Sequence, residues 1–217
     1  MSKKKIANSR AAGEASAIGA AAAALRAGDV IAFPTETLYG LGADALNPAA
    51  VEKVFQLKGR DARNPIPVLV SDCAMLSDLV TEIPPTAKRL MDRFWPGPLT
   101  LTLPARRDIP GALISSAGKI GVRVSSQAIA TSLVKALGHP LTATSANPSG
   151  KEAARTVAEA RNYFADLIQI FVDGGTLGSQ TGSTVVDIIG DELRIIRAGD
   201  IAPEELANFV GSGKIIN

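Results

Sequence analysis

Hydrophobic positions along the chain form short continuous runs that alternate with amphipathic segments. Such runs, bounded by Gly, Pro or polar clusters, are typical of buried strands. They predict strands over 29–33, 66–70, 99–103, 119–125, 141–145, 167–173, 183–189 and 193–197. Ala-rich or helically periodic segments predict helices over 14–27, 49–57, 85–94, 128–137, 156–164 and 203–210. Because the two kinds of element alternate along most of the chain, the pattern indicates an α/β fold.

The breaks between these elements refine the fold prediction. Residues 34–45 contain a proline and two glycines and predict a loop after the first strand. Gly190-Asp191 between the last two strands predicts a hairpin, so the sheet should be mixed rather than purely parallel. No linker or internal repeat divides the sequence. We therefore predict a basic, flexible tail over 1–13 and one α/β domain over 14–217.

The composition excludes several classes of protein. With 217 residues, 46% of them hydrophobic, the chain can bury a core, which rules out wholesale disorder. A single Cys and a single His exclude an intrachain disulfide and Cys-based metal sites. Cys73 is expected to be half-buried, and His139 to be an exposed loop imidazole. No apolar run is long enough for a membrane span, and the lone thiol without a convincing signal peptide favours the cytoplasm.

Charge is unevenly distributed along the chain. The net charge is +2, but residues 1–10 hold four basic residues and no acid, and the rest of the chain carries 19 basic and 21 acidic residues. The basic pI therefore belongs to the N-terminal segment. This weakens the alternative of an RNA-binding module, as does the scarcity of aromatic residues for base stacking, but a local basic groove stays open.

The candidate chemistry lies in polar loops at the strand ends. There is no Walker motif, but in open α/β sheets loops of this kind converge on a ligand crevice, where Lys, Arg and hydroxyl groups can hold phosphates. Arg123, within the apolar run GVRVS, needs a partner or a ligand because a buried charge is costly. The polar segments are FPTETLYGLG (33–42), LKGRDARNP (57–65), TATSANPSG (142–150), TGSTVVD (181–187) and RAG (197–199).

Taken in order, these segments resemble the YrdC/Sua5 family of threonylcarbamoyl-AMP synthases. The matching motifs are FPTET-x-YGLG, K-x-R, N-P, WPGPLTL, G-x-R-V, SAN-x-SG, STVVD and R-x-G. The resemblance implies the short, single-domain form: a twisted mixed sheet flanked by helices around a basic concave cavity. It also implies a nucleotidyltransferase that converts L-threonine, bicarbonate or CO₂, and ATP into threonylcarbamoyl-AMP and pyrophosphate. Downstream t6A transferase proteins would use the product to modify tRNA, which this protein would meet only indirectly.

The resemblance also implies roles for individual residues. Lys58 and Arg60 would be catalytic. Magnesium would be held mainly by the ATP phosphates, with no metal site formed by the protein itself. The residues implied to bind ATP are Arg60, Asn64, Lys119, Ser145, Asn147 and Arg197. Those implied to bind threonine are Thr37, Arg123, Ala143 and Ser183.

Three positions depart from the family pattern. Leu69 stands where the family often has a histidine near threonine, Ser125 where it has a proline, and Ala153 where it has a serine that reaches ATP. These departures leave open a YciO-like paralogue that shares the fold and the nucleotide cavity but has a weak activity or uses another amine.

Overall fold

The computed structural model describes residues 2–61 and 63–216, and for residues 2–12 and 212 it describes the backbone alone. The predicted flexible tail over 1–13 lies largely outside the residues whose side chains are described, and its flexibility stays a prediction. The backbone is helical from Ser2. That helix ends before Gly28, as predicted, because φ is +83° there. The α-helices of the described part are α1 (Ser2–Arg26), α2 (Pro48–Lys58), α3 (Pro85–Phe94), α4 (Ala128–Leu137), α5 (Val157–Phe164) and α6 (Pro203–Val210).

Strands of the described part form two sheets rather than one. Their bounds are β1 (Ile31–Pro34), β2 (Tyr39–Gly42), β3 (Val68–Leu69), β4 (Leu99–Pro104), β5 (Lys119–Arg123), β6 (Leu141–Thr142), β7 (Thr144–Ser145), β8 (Ile170–Phe171), β9 (Thr184–Ile189), β10 (Glu192–Arg197) and β11 (Ile215–Ile216). The small sheet has the order β7-β2-β1-β8, and the large sheet has the order β11-β10-β9-β4-β5-β3-β6. Both contain parallel and antiparallel pairs, so the prediction of a mixed α/β fold is confirmed.

The prediction of an unbroken loop over 34–45 was wrong. Strand β2 lies inside this segment and pairs antiparallel with β1, from Ile31↔Gly42 to Pro34↔Tyr39. Its two glycines, which favoured a loop, instead let β2 lie flat against Phe33. A Cβ on Gly42 would stand 2.8 Å from that ring. Only residues 35–38 form the turn, which the Thr35 hydroxyl closes by donating to the Leu38 carbonyl (2.7 Å).

A switch between the two sheets occurs within the strand predicted over 141–145. Leu141 and Thr142 pair with β3 of the large sheet, whereas Thr144 and Ser145 pair with β2 of the small sheet. Ala143 stands at the break and donates its backbone N–H to the Pro67 carbonyl (2.9 Å). The chain therefore crosses from one sheet to the other next to the loop that follows α2. This crossing brings the TATSANPSG and LKGRDARNP segments together.

Of the remaining strand predictions, one is confirmed and one holds only in part. The β9–β10 hairpin is confirmed, with a turn at Gly190 (φ +60°). Of residues 167–173 only Ile170–Phe171 forms a strand, which pairs parallel with β1. The N–H groups of Leu167 and Ile168 bond back to the Phe164 carbonyl at the end of α5 instead. The buried core is mostly aliphatic, as the scarcity of aromatics predicts. None of the helices in the described part combines the length and apolarity that crossing a membrane requires.

Candidate active site

Two adjoining cavities open between the sheets, where the polar loops converge. The larger has a volume of about 530 Å³ and lies against β4, β5, β9 and β10 of the large sheet. The smaller, of about 290 Å³, lies between the 35–38 turn, the β7 region and the segment 180–183. Arg60, Pro67 and Arg197 line both cavities. The site is thus one basic cleft with two compartments that share two arginines.

The larger cavity has apolar walls and a polar rim. Pro65, Ile66 and Ile196 contribute apolar surface, and Ile196 is 57% exposed. Four of the six predicted ATP ligands line this compartment, namely Arg60, Asn64, Lys119 and Arg197. The Lys119 ammonium is paired with Asp187 (Nζ to Oδ1 2.5 Å) and also donates to the Ile188 carbonyl. An apolar slot with charged groups at one end suits a nucleoside with attached phosphates.

The smaller cavity is rich in hydroxyl groups and positive charge. The predicted residues that line it are Thr37, Arg123, Ala143, Ser145, Asn147 and Ser183. Arg60, Lys151 and Arg197 also line it, and among its described lining residues there is no carboxylate. The Thr35 and Thr37 hydroxyls lie 3.0 Å apart, and the Ser183 hydroxyl lies 2.9 Å from that of Thr100. This compartment suits a small anionic or zwitterionic molecule.

Each of the two shared arginines is held by hydrogen bonds to a different loop of the protein. Arg60 donates from Nε to the Asn64 carbonyl (2.7 Å), within its own loop. Arg197 donates from Nη2 to the Ser183 carbonyl (2.7 Å) and hydroxyl (3.0 Å). Partial burial lowers the pKa of both guanidinium groups, and Arg123 and Arg60 lower that of Arg197 further. Two guanidinium groups held close together at the junction, with a third nearby, favour the binding of an anion.

Lys58 does not line either compartment, which alters the interpretation of its role. Its side chain is buried, with the residue 3% exposed. The ammonium donates to the carbonyls of Ser145 (2.6 Å) and Asn147 (2.8 Å) and more weakly to Asn147 Oδ1 (3.4 Å). Burial, and then the Arg60 charge, lower its pKa to about 8. Lys58 therefore fixes the 145–147 loop, which carries lining residues, and its three hydrogen atoms already have acceptors.

Arg123 has a protein partner that the sequence analysis did not assign. Its Nη1 donates to Glu36 Oε1 at 3.0 Å, and the residue is 5% exposed. The expectation that this buried cation needs a partner or a ligand is thus met in part within the protein, because Glu36 from the 35–38 turn offsets its charge. Burial still lowers the pKa of Arg123. The signal for this pair was present in the sequence as an acid in the polar loop and an unexplained cation in a buried strand.

The positions that depart from the family pattern fall in different places. Leu69 is buried and packs in the hydrophobic cluster around Ile31 and Phe33, away from the lining of both cavities. Ala153 lines the smaller cavity, and the Ser125 hydroxyl donates to Glu36 Oε2.

Two residues considered in the sequence analysis lie away from the cleft. Nδ1 of His139 lies 2.9 Å from Asp44 Oδ2, with the imidazole 51% exposed, which agrees with a loop position. Cys73 is exposed rather than half-buried, because it lies in the turn that follows β3 and precedes a short 3₁₀ helix at Ala74–Asp78.

The fold and the cleft together define an α/β domain in which a nucleoside-sized compartment meets a small polar one at two arginines. The chain belongs to the Sua5–YciO–YrdC family, whose model, described as "Telomere recombination", matches residues 23–199. It is 37% identical over 195 residues to a threonylcarbamoyl-AMP synthase of Pyrococcus abyssi, covering 90% of this chain and 57% of the relative. It is 39% identical to the Bacillus subtilis protein of the same name, covering 89% of this chain and 56% of that relative. The chain thus spans little more than half the length of these two relatives.

Solved structures agree with this membership. The crystal structure of P. abyssi Sua5 complexed with L-threonine superposes with a TM-score of 0.87 at 37% identity, covering 92% of this chain and 58% of that one. Escherichia coli YciO superposes with a TM-score of 0.76 at 29% identity, covering 84% of this chain and 89% of that one. The two-sheet architecture is therefore shared by both branches that the sequence analysis considered.

Gly199 in the R-x-G motif should be sensitive to substitution. A Cβ at this position would lie 2.4 Å from the Ser183 carbonyl carbon and 2.5 Å from Thr184 N, so only glycine fits against that backbone. We expect Gly199→Ala to lower the free energy of unfolding by roughly 1–3 kcal/mol or more and to displace Arg197. Gly178→Ala is the control, since nothing lies within 4 Å of a Cβ there. Equal unfolding midpoints for the two variants in denaturant would contradict this prediction.

The lowered pKa of Lys58 should make the stability of the ligand-free protein depend on pH. The ordinary value is 10.5 and the folded value about 8, so between them the unfolded chain binds the proton more readily. The free energy of unfolding should therefore rise as the pH is raised through this window, and the cost of burying the charge is full below it. Urea titrations across the window should give a steeper rise for wild type than for Lys58→Met. Identical pH dependence in the two proteins would refute the lowered pKa.

Proposed function

We propose that the protein is a threonylcarbamoyl-AMP synthase, a nucleotidyltransferase that joins L-threonine, bicarbonate and ATP. The products would be threonylcarbamoyl-AMP, pyrophosphate and water. The observation that carries this proposal is the pair of compartments that meet at Arg60 and Arg197. A reaction between an amino-acid derivative and the α-phosphate of a nucleotide needs two binding sites that share a cationic junction.

The larger compartment would take the nucleoside of ATP. Its volume of about 530 Å³ and its apolar walls at Pro65, Ile66 and Ile196 suit a purine base and its ribose. The phosphates would then extend towards Arg60 and Arg197, whose planar guanidinium groups can hold phosphate oxygens in bidentate fashion. Asn64 and Lys119, on the rim, would contact the nucleotide from either side.

The smaller compartment would take threonine. Arg123 would receive the carboxylate, and the hydroxyls of Thr37 and Ser183 lie where a small polar side chain and the amine could find acceptors. The related P. abyssi protein has been crystallised with L-threonine, which supports this assignment. Ala143 would close the compartment on the side of the sheet crossing. Ser145 and Asn147, which the resemblance assigns to ATP, line this smaller compartment rather than the larger one, so they would reach ATP only where its phosphates approach the junction.

The proposed chemistry requires positioning and charge neutralisation rather than a covalent nucleophile. Bicarbonate would supply CO₂ by losing hydroxide. The neutral amine of threonine attacks the carbon of this CO₂ and gives up a proton, which combines with the hydroxide as water, and this forms a carbamate. A carbamate oxygen then attacks the α-phosphorus, and the bond to the β,γ-pyrophosphate breaks with both electrons leaving on pyrophosphate. Arg60 and Arg197 would stabilise the charge that develops at the α-phosphate.

Magnesium would enter with ATP in this proposal. Among the described residues no three His, Cys, Asp or Glu side chains cluster as metal ligands. Among the described residues that line the larger cavity, Asp187 is the one carboxylate, and it is already paired with Lys119. The residues thus suit a magnesium ion that is coordinated mainly by phosphate oxygens. Such an ion would neutralise part of the phosphate charge. The product would pass to transferase proteins that build t6A in tRNA, and two compartments of these volumes suit small substrates better than an RNA strand.

The test is pyrophosphate release by the purified protein with ATP, Mg²⁺ and bicarbonate, with and without L-threonine and with a panel of other amino acids. We expect release that depends on threonine and falls strongly with serine, valine or alanine. Release with another amine but not with threonine would favour the YciO-like alternative, to which Ala153 in the smaller cavity and the likeness to YciO point. ATP binding without release under any amine would contradict the proposed reaction.

A further inference from the structure

Glu36, which forms a buried ion pair with Arg123, has no role in the proposed reaction itself. Arg123 lines the smaller compartment, whereas Glu36, which accepts from its Nη1 at 3.0 Å, does not. Both side chains are shielded, at 6% and 14% exposure. A guanidinium group carries donors on more than one edge, so Glu36 occupies one edge and leaves the others directed to the compartment. The pair therefore fixes which way Arg123 faces.

The Glu36 carboxylate has a second partner besides Arg123, and the residues around it are held in turn by hydrogen bonds. Its Oε2 accepts from the Ser125 hydroxyl, and the oxygen of that hydroxyl accepts from the backbone N–H of Gln127 (3.1 Å) at the start of α4. The Ser125 carbonyl accepts from Thr131 (3.0 Å), one turn into the same helix. On the other side, the Thr35 hydroxyl accepts from the backbone of the 35–38 turn. A chain of hydrogen bonds thus runs from the first turn of α4 through Ser125 and Glu36 to Arg123.

The charges around the compartment give this arrangement a second consequence. Four cations line the cavity: Arg60, Arg123, Lys151 and Arg197. Glu36 offsets the charge of Arg123 from outside the lining. The compartment is therefore less cationic at its Arg123 end than at the junction with the larger cavity. A phosphate would be drawn to the junction, and a single carboxylate with a nearby ammonium group could be held at the Arg123 end.

We propose that Glu36, held by Ser125, positions Arg123 for the carboxylate of the amino-acid substrate. Both are positioning residues that act through Arg123 and touch no reacting atom. This inference rests on the proposed function, because it assumes an amino acid in the smaller compartment. It goes beyond that function in naming the residues that set the orientation and charge of the carboxylate site.

The first test is Glu36→Gln, which keeps the shape and one oxygen acceptor but removes the charge. We expect the KM for L-threonine to rise roughly 10- to 100-fold, with the KM for ATP and the kcat at saturating threonine within about 3-fold of wild type. Loss of uniform substrate binding has this signature, whereas a loss of overall structure would alter all three values. Inorganic phosphate should inhibit the variant more strongly than wild type, since the Arg123 end gains an unpaired cation.

Ser125→Ala is the second test, and it leaves the Glu36–Arg123 pair in place should the first variant not fold. We expect the threonine KM to rise several-fold in this variant. In the double variant it should rise no further than in Glu36→Gln alone, because Ser125 acts only through Glu36. Unchanged threonine KM in both folded single variants, beside threonine-dependent turnover by wild type, would overturn this inference alone. Wild-type protein without threonine-dependent turnover would overturn the proposed function and this inference together.

Discussion

Replacing Arg60 by alanine is expected to lower kcat by about 100- to 1,000-fold while the protein stays folded. Arg60 lines both compartments, so it is placed to contact the phosphate at which the two substrates are joined. Loss of one preorganised donor to a charge that develops in the transition state typically has an effect of about this size. Steady-state pyrophosphate release with both substrates varied measures the change, and circular dichroism checks the fold.

The matched control for this variant is Arg63→Ala. Arg63 lies in the same loop, but its side chain is 89% exposed and pairs with Asp61 at 2.6 Å. An exposed ion pair of this kind contributes little to stability, and Arg63 lines neither compartment, so turnover should remain close to wild type. If Arg60→Ala and Arg63→Ala were equally active, the shared junction would not be the place where phosphate charge is stabilised.

Lys58→Met is the second substitution for which we expect a large effect, and the expected cause is different. Methionine is one atom shorter than lysine and similarly unbranched but cannot donate to the Ser145 and Asn147 carbonyls, so the 145–147 loop should lose its fixed position. We expect kcat/KM to fall about 100-fold for both substrates. Each buried acceptor left without a donor costs about 1–3 kcal/mol, and relief of the buried charge offsets part of that loss.

Lys53→Met provides the control on the same helix. Lys53 is 52% exposed at the side chain, and its ammonium donates to the Gly28 carbonyl, far along the helix from the cleft. The activity of Lys53→Met should match that of wild type. Lys58→Met with turnover within about 3-fold of wild type would mean that the loop needs no anchor. A fall in ATP affinity alone would mean that Lys58 contacts the nucleotide directly, as the family resemblance implied.

The fold could be predicted from the sequence to the extent that local signals and final structure agree. Gly28 and Gly190 mark a helix end and a hairpin turn because both need positive φ, which the sequence indicates directly. The segments 34–45 and 141–145 could not be predicted in this way. In the first segment, residues 39–42 form a strand because its glycines pack against Phe33. The second segment divides between two sheets because its pairing partners differ on either side of Ala143. Both outcomes depend on contacts that are distant in sequence.

The candidate site shows the same division. Motif order was sufficient to collect the residues that the fold brings into one cleft, including Thr37, Ser183 and Arg197. It did not distinguish residues that line the cleft from residues that hold the lining in place. Lys58 and Glu36 belong to the second group, because their partners are a loop carbonyl and a buried cation whose positions are determined only by the folded backbone.

The central claim is that a carbamate made from threonine in one compartment attacks the α-phosphate of ATP in the other. The most direct measurement is mass spectrometry of the product formed from ATP, L-threonine and ¹³C-bicarbonate. We predict an adduct of AMP with threonine that carries the carbon label, together with stoichiometric pyrophosphate. Release of ADP and phosphate, or an AMP adduct of threonine that lacks the bicarbonate carbon, would contradict the account.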